Sequence, residues 1–574
     1  MAPSKNISGI NRREVLKGIV AMGMMSEDAS ANESNDANTS IMAAIASAEK
    51  LDGRNYTPAQ RTLMIKSLME TEKGLLAIRN ADILDGSEPA FHFDPRLAGM
   101  RYPEGKGSFK MSHDKDPAYQ GDPESLAFAT VVEISRLIKD RRISSVALAK
   151  MYIQRLKKYG PMLNCVITLT EELAMKQAEQ ADKELADGRY RGPLHGIPWG
   201  AKDLFATIGI PTTWGAKPYE RQIFDFDATV VKRMEEAGAV LAAKLSMGEL
   251  AMGDVWFGGK TRCPWNQKEG SSGSSAGPGA ATAAGLVGFS LGTETLGSIV
   301  SPSVRNGTTG LRPTYGRVSR HGAMALCWTM DKIGPICRGV EDCALALNAI
   351  YGPDGEDPTC ADIPFHWNPD IDLKTIKAGV DTAAFQAARK DKTLWPIYEK
   401  ALETLGNLGL TLHPVEIPPE NETYSALAQI IIGIESSAAF TRLINSGKLD
   451  ELAQQTEDSW PNIFRAGSIL SADDYITAQR VRSRLQREMT SCFRDIDCLI
   501  TMPFANLSRT NLTGHPTLIT RCGMQNGLPI SIAFIGNLYR EDAILRLGLA
   551  YERATHWHNQ WPDTAKLAPL ADLS

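Results

Sequence analysis

Apolar residues recur at mostly helical spacing from Thr57 to about Arg79, at Leu63, Met64, Leu68, Leu75 and Leu76, and predict a helical arm. The segment from Pro89 to Gly121 is rich in Pro, Gly, Asp and aromatic residues and predicts an irregular extended strap. Near Asp122 the pattern changes, as Pro123-Glu124-Ser125 leads into the periodic positions Val131, Ile134, Leu137 and Ile138. Helical patterns follow at Ser144 to Tyr159 and Glu171 to Asp187, separated by the strand-like Cys165 to Thr168. Beyond them a helix is expected at Ala228 to Ala237, a buried strand at Ala239 to Leu245, and helices at Val340 to Tyr351 and Ala401 to Leu408. The last of these precedes a strand at Leu412 to Ile417. Short strands alternating with helices argue for an α/β fold, a central mixed β-sheet covered by helices on both faces.

Composition narrows the function classes. With 574 residues, 43% of them hydrophobic and 22% charged, the chain can bury a sizeable core. Lys and Arg total 62 against 67 acidic residues, a net charge of −5 that provides no basic field for nucleic acid or an anionic membrane. The nine cysteines are odd in number, widely spread and without a CxxC pair, so neither a disulfide framework nor a zinc knuckle is expected. Apolar stretches such as Ile430 to Ile434 fall far short of the roughly 20 residues of a spanning helix.

The amino terminus is distinct. Asn11-Arg12-Arg13-Glu14-Val15-Leu16-Lys17, the apolar run Gly18 to Met25 and Ala29-Ser30-Ala31 are similar to a twin-arginine export leader over residues 1–31. Such a leader implies a periplasmic location, and a chain that kept this segment as an ordinary terminus would be cytoplasmic. Residues 32–121 then form a linker, the helical arm and the strap, and residues 122–565 the main domain.

Candidate chemistry concentrates between Gly270 and Gly316. The run Gly270-Ser271-Ser272-Gly273-Ser274-Ser275-Ala276-Gly277-Pro278-Gly279 is followed by a small-residue stretch to Gly285 and then by Leu291 to Ile299. Small residues let backbone amides approach a ligand, and serines supply nucleophilic or proton-relaying hydroxyls. A flexible linker is disfavoured by the apolar Leu286, Val287, Phe289 and Leu291. A phosphate loop fails because Gly277-Pro278-Gly279 lacks its third glycine at Thr282. Gly273-Ser274-Ser275-Ala276-Gly277 satisfies a GxSxG elbow with Ser275 as nucleophile, but the preceding Cys263 to Glu269 is not the hydrophobic strand such an elbow stands on.

Upstream, His195-Gly196-Ile197-Pro198-Trp199-Gly200-Ala201-Lys202-Asp203 places a lysine after a short apolar stretch. Further on come Gly307-Thr308-Thr309-Gly310-Leu311-Arg312-Pro313-Thr314-Tyr315-Gly316, Gly514-His515-Pro516-Thr517 and Gly527-Leu528-Pro529-Ile530-Ser531. In this order, from about Asp122 to His558, these segments resemble the amidase signature family of serine amidohydrolases, whose members use a Ser-cisSer-Lys triad. The resemblance implies Ser298 as nucleophile, Lys202 as base and Ser274 as the bridging serine, with Ser271 an alternative in an overlapping copy of the motif. It also implies an oxyanion hole from the backbone amides of Thr295, Leu296, Gly297 and Ser298. Two positions depart from the family's usual wording: Leu296 stands where glycine is frequent, and Val300 where many relatives carry arginine. Trp256, Phe257, Met324, Trp328 and Met330 are candidates for a substrate pocket.

The expected activity is hydrolysis of carboxylic amides to carboxylate and ammonia or amine, through a Ser298 acyl-enzyme. The alternative is a glutaminase subunit of a tRNA-dependent amidotransferase. No cofactor is expected, and the nine histidines form no HExxH motif that would hold a metal. His195 and His321 are expected to be structural. The expected partner is a small-molecule amide, with neither nucleic acid nor membrane, for a monomer or a homodimer.

Overall fold

The computed structural model describes residues 41–49, 55–80, 107–112, 119–370, 372–417 and 422–573. The expected leader and the linker before residue 41 lie outside the described residues, as does most of the strap. Contacts divide the chain into two units, one holding the described residues up to 80 with 422–484, the other holding 107–417 with 485–573.

In the first unit the helical arm runs Pro58–Arg79. Thr57 caps it reciprocally with Gln60, and Pro58 sits in the first turn, where its missing N–H has no intrahelical partner to lose. Met64, Leu68, Leu75 and Ile78 are buried, whereas Leu76 faces outward. The arm meets helix Glu422–Ala439 so closely that a Cβ on Gly74 would lie 2.9 Å from the Ala426 Cβ. Ile41, Ile45, Tyr56, Met64, Leu68 and Ala466 form one apolar cluster.

The second unit is built on a mixed sheet of eleven strands. In chain order these are β1 (Val166–Leu169), β2 (Pro198–Lys202), β3 (Val240–Leu245), β4 (Phe289–Glu294), β5 (Thr309–Arg312) and β6 (Lys332–Cys337). They continue with β7 (Ala378–Asp381), β8 (Leu412–Val415), β9 (Cys498–Thr501), β10 (Thr517–Gln525) and β11 (Leu528–Gly536). Across the sheet the order is β1-β3-β2-β4-β6-β5-β10-β11-β9-β7-β8. The pairs β3–β2, β2–β4, β9–β7 and β7–β8 are parallel, and the others antiparallel. Strands β2 and β3 are buried at every residue, as expected of central parallel strands covered on both faces.

Helices α1 (Ser145–Leu163), α2 (Glu171–Ala186), α3 (Ala276–Ala283) and α4 (Val300–Asn306) belong to one set of covering helices, and α5 (Val340–Ile350) and α6 (Glu541–Thr555) to another. Ser144 caps α1, and Asn164 ends it in the left-handed region, at φ 50°. Leu156, Leu163, Leu245 and Val287 are among the residues packed where α1, β3 and α3 meet. Each such side chain contributes on the order of 2 kcal/mol by leaving water.

The expected elements agree with those found to within a few residues, with one larger difference. The helix expected from Ala401 begins at Trp395, because Pro396 occupies a first-turn position that suits it. Of the strap, residues 107–112 are described, and Phe109 bridges to Trp367. All nine cysteines are free thiols, eight of them buried. Among the described residues no helix is long and apolar enough to cross a membrane.

Candidate active site

The site gathers at the ends of β2 and β4. Lys202 is the last residue of β2, and every residue of that strand is buried. The strand thereby carries an amine into the interior, where Lys202 is 0% exposed. Its Nζ donates to Ser274 Oγ at 2.8 Å and to Thr293 Oγ1 at 2.8 Å. Burial lowers the ammonium from its ordinary 10.5 to about 7, against the opposing pull of the Asp331 and Glu294 charges.

Small residues make this approach possible. Helix α3 is buried throughout, and a Cβ on Gly277 would lie 2.5 Å from Ser246 N and 2.7 Å from the Cys165 carbonyl oxygen. The loop before α3 is equally close: a Cβ on Gly273 would overlap the Gly253 carbonyl oxygen at 1.8 Å. The Gly273–Ser274 peptide is cis, and the Ser274 carbonyl accepts from Gly248 N–H at 3.1 Å.

Three of the four serines in the cluster, the candidates raised by the sequence, have different surroundings. Ser274 meets Lys202. Ser271 donates to the Ala276 carbonyl at 3.1 Å and to the Ser272 carbonyl at 3.2 Å. Ser275 is tied to the Thr293 backbone, donating to its carbonyl at 3.1 Å and accepting from its N–H at 3.2 Å. The strand leading into the cluster, Asn266–Gly270, belongs to a two-stranded polar ribbon and not to the main sheet.

Ser298 lies at the end of the turn that follows β4. Its backbone carbonyl accepts from Ser275 N–H at 3.2 Å, which sets the turn against the start of α3. Among the described residues none accepts a hydrogen bond from the N–H groups of Leu296, Gly297 or Ser298, and none bonds to the Ser298 hydroxyl. Gly297 has φ 92°, a conformation that side chains other than hydrogen rarely tolerate. Leu296 is half-buried beside it. Val300 is buried against Ile519 and Ala533, so it serves as an apolar core contact.

Glu294 holds the far side of this turn. Its Oε2 accepts from Ile299 N–H at 2.8 Å and Val300 N–H at 2.9 Å. Its Oε1 accepts from Arg312 at 2.7 Å and Asn511 at 2.8 Å. Burial alone would push this carboxyl up, but the Arg312 and Lys332 charges and the Val300 N–H outweigh it and hold the group at about 2. Arg312 in turn donates to the His515 carbonyl at 2.8 Å and to Thr517 Oγ1 at 2.6 Å. Sequence reasoning did not single out Glu294, Thr293 or Asp331. Thr293 and Glu294 stand beside the Ser298 motif, which was the one available signal for them, and Asp331 carried none.

A cavity of about 490 Å³ opens beside Thr293, lined by Thr295, Met324, Leu326, Trp328 and Asp331 among others. Met324 and Trp328 were expected there. Trp256 and Phe257 were also expected but are placed elsewhere: the Trp256 indole donates to the Asn164 carbonyl at 3.3 Å, and Phe257 packs edge-on against it. Met330 is buried in the loop that enters β6. His195 is buried with Nε2 at 2.9 Å from the Ala181 carbonyl, and His321 stacks on Phe226.

The chain as a whole is similar to known proteins. The sequence model of the family described as Amidase matches residues 147–509. The chain is 34% identical over 483 residues to the A-type subunit of glutamyl-tRNA(Gln) amidotransferase from Dehalococcoides mccartyi (strain CBDB1), covering 75% of this chain and 98% of that protein. It is 32% identical over 482 residues to the corresponding protein from Methylococcus capsulatus (strain ATCC 33009 / NCIMB 11132 / Bath), with coverage of 75% and 98%. Among solved structures, native peptide amidase from Stenotrophomonas maltophilia superposes with a TM-score of 0.69 at 28% identity, covering 77% of this chain and 100% of that one.

Proposed function

The chain belongs to the amidase signature family, enzymes that hydrolyse carbon–nitrogen amide bonds, and on that footing we propose that it cleaves carboxylic amides through an acyl-enzyme on Ser298. The observation that carries the reading is the buried Lys202, lowered to about 7 and donating to Ser274 at 2.8 Å. A lysine at its ordinary value of about 10.4 is a cation at neutral pH and cannot take a proton. Desolvation makes the neutral amine accessible and so makes a base of it.

In the proposed reaction Ser298 Oγ attacks the amide carbon. Its proton passes to Ser274 Oγ while the proton of Ser274 passes to Lys202 Nζ. The carbonyl oxygen becomes an oxyanion, held by the N–H groups of the turn from Thr295 to Ser298. One such donor typically lowers the barrier by about 3–4 kcal/mol. As the carbon–nitrogen bond breaks, the leaving nitrogen takes the proton back along the same path and departs as ammonia or an amine. Water then attacks the acyl-serine with the same relay as base, releasing the carboxylate and restoring Ser298. The leg from Ser298 to Ser274 closes when substrate is bound, in keeping with the looser catalytic contacts of ligand-free sites.

Reaction with a fluorophosphonate probe tests this directly. Intact mass and peptide mapping should place one adduct on Ser298, absent from Ser298→Ala, while that variant keeps the parent's circular dichroism. An adduct on Ser275 would sink the assignment.

The similarity to amidotransferase subunits favours a second reading, a glutaminase whose ammonia passes to a partner. Ammonia release from simple amides by the purified chain supports the first reading. Glutamine hydrolysis that appears only with added partner proteins supports the second.

A further inference from the structure

We propose that Asp331 is a positioning residue for the hydrolysis, bracing the amide-bearing turn before Ser298 against the wall of the adjoining cavity. This rests on the reading that the amides of the turn from Thr295 to Ser298 receive the oxyanion.

Asp331 immediately precedes β6, whose first residue Lys332 pairs with Glu294, the last residue of β4. Antiparallel register therefore sets Asp331 level with Thr295, the first residue of the turn. The two carboxylate oxygens have separate tasks. Oδ1 accepts from Thr295 Oγ1 at 2.5 Å. Oδ2 accepts from Leu326 N–H at 2.8 Å and Cys327 N–H at 2.9 Å. The Cys327 carbonyl accepts in return from the N–H groups of Met330 and Asp331, each at 2.9 Å. One carboxylate thus closes the loop that carries Leu326 and Trp328 on the cavity wall and also ties that loop to the turn.

At the other end of the turn, Glu294 takes the amides of Ile299 and Val300. The three amides of residues 296–298 are thereby suspended between two carboxylates, Asp331 before them and Glu294 after them. A hydrogen bond from a hydroxyl to a carboxylate is about twice as strong as a neutral one, which suits it to fixing a backbone segment. Such fixing matters because stabilisation of an oxyanion depends on donors already in place when charge develops. Displacement of about 1 Å at a reacting centre costs up to roughly 100-fold in rate.

The roles separate by substitution. Thr295→Val keeps the shape of the side chain and removes the hydroxyl that Asp331 accepts from, leaving the wall loop's own bonds intact. Its kcat is expected to fall about tenfold with KM changed less than about twofold, because the loss is confined to the transition state. Thr295→Ser restores the hydroxyl and should recover most of kcat. Asp331→Ala removes both ties, the wall loop's to Leu326 and Cys327 and the turn's to Thr295, so KM should rise as kcat falls. All variants are assayed beside fluorophosphonate labelling of the parent. A parental adduct on Ser298 together with a Thr295→Val kcat equal to the parent's, or no recovery in Thr295→Ser, overturns the brace alone. Absence of the parental adduct overturns the functional reading and the brace with it.

Discussion

The lowered basicity of Lys202 makes two measurable quantities depend on pH in a connected way. The free enzyme's base must be neutral to act, so kcat/KM should rise about tenfold per pH unit up to about pH 7 and be flat above it. A lysine at its ordinary value would extend the rising limb to about pH 10.4. The same displacement acts on stability. The folded value of about 7 lies below the ordinary 10.5, so between these pH values the unfolded chain binds more protons than the folded one, and stability rises with pH. Integrated over that window, the penalty of holding Lys202 inside is about 4 kcal/mol at pH 7 and about 1 kcal/mol at pH 10. Lys202→Met substitutes an uncharged chain of similar length and removes the penalty. It also removes the two hydrogen bonds donated to Ser274 and Thr293. Each of those is worth about 1 kcal/mol. The variant should therefore be more stable than the parent by about 2 kcal/mol at pH 7 and less stable by about 1 kcal/mol at pH 10, with turnover lost at both. Isothermal urea titration at the two pH values reads the stability difference, and initial rates with a simple amide read the profile. A stability difference of one sign and size at both pH values, with activity still rising above about pH 9, would refute the argument that burial creates the base.

Two further substitutions address the turn and its support. Gly297→Ala puts a Cβ at φ 92°, 3.1 Å from Leu507 Cδ2 and 3.2 Å from Ser301 Oγ, and distorts the amides on either side. Its kcat should fall by roughly 100-fold, and turnover at the parental rate in a steady-state assay would show that the turn carries no oxyanion. Arg312→Met leaves the Glu294 carboxylate buried without the cation at 2.7 Å. It should destabilise the fold by about 3–5 kcal/mol; adding Glu294→Gln should recover part of the loss in thermal melts, and an unchanged melting temperature in the single variant would count against the pairing.

How much was legible beforehand depended on the kind of interaction. The apolar pattern marked β1, β3 and the helices around them, because burial leaves a signature in a single stretch of chain, whereas the strand β2 that carries Lys202 was not anticipated. Lys202, Ser274 and Ser298 could be named only through the resemblance carried by several short segments occurring in one order. The structure then brought Lys202 and Ser274 into contact, leaving Ser271 bonded to the Ala276 carbonyl. Proximity along the chain proved a poor guide to the cavity: Met324 and Trp328 line it, whereas Trp256 and Phe257 pack elsewhere. Thr295 and Asp331 are 36 residues apart, and their bond joins polar groups just beyond the ends of neighbouring strands, which leaves no mark in hydrophobic pattern.

The same reasoning explains why stretches without chemistry of their own entered the resemblance. The segments around Arg312 and His515 contain no group in the proposed reaction, yet they meet at one buried point. Arg312 bonds Glu294 on one side and the His515 carbonyl, 203 residues away, on the other. Glu294 holds the amides of Ile299 and Val300 immediately after Ser298. A buried carboxylate that lost its arginine would lose the larger of the two charges that offset it, and the turn it holds would lose its geometry with it. Agreement across those distant segments therefore reports the support of the nucleophile's turn as much as the reaction, and the Glu294–Arg312 pair is the physical link between the two.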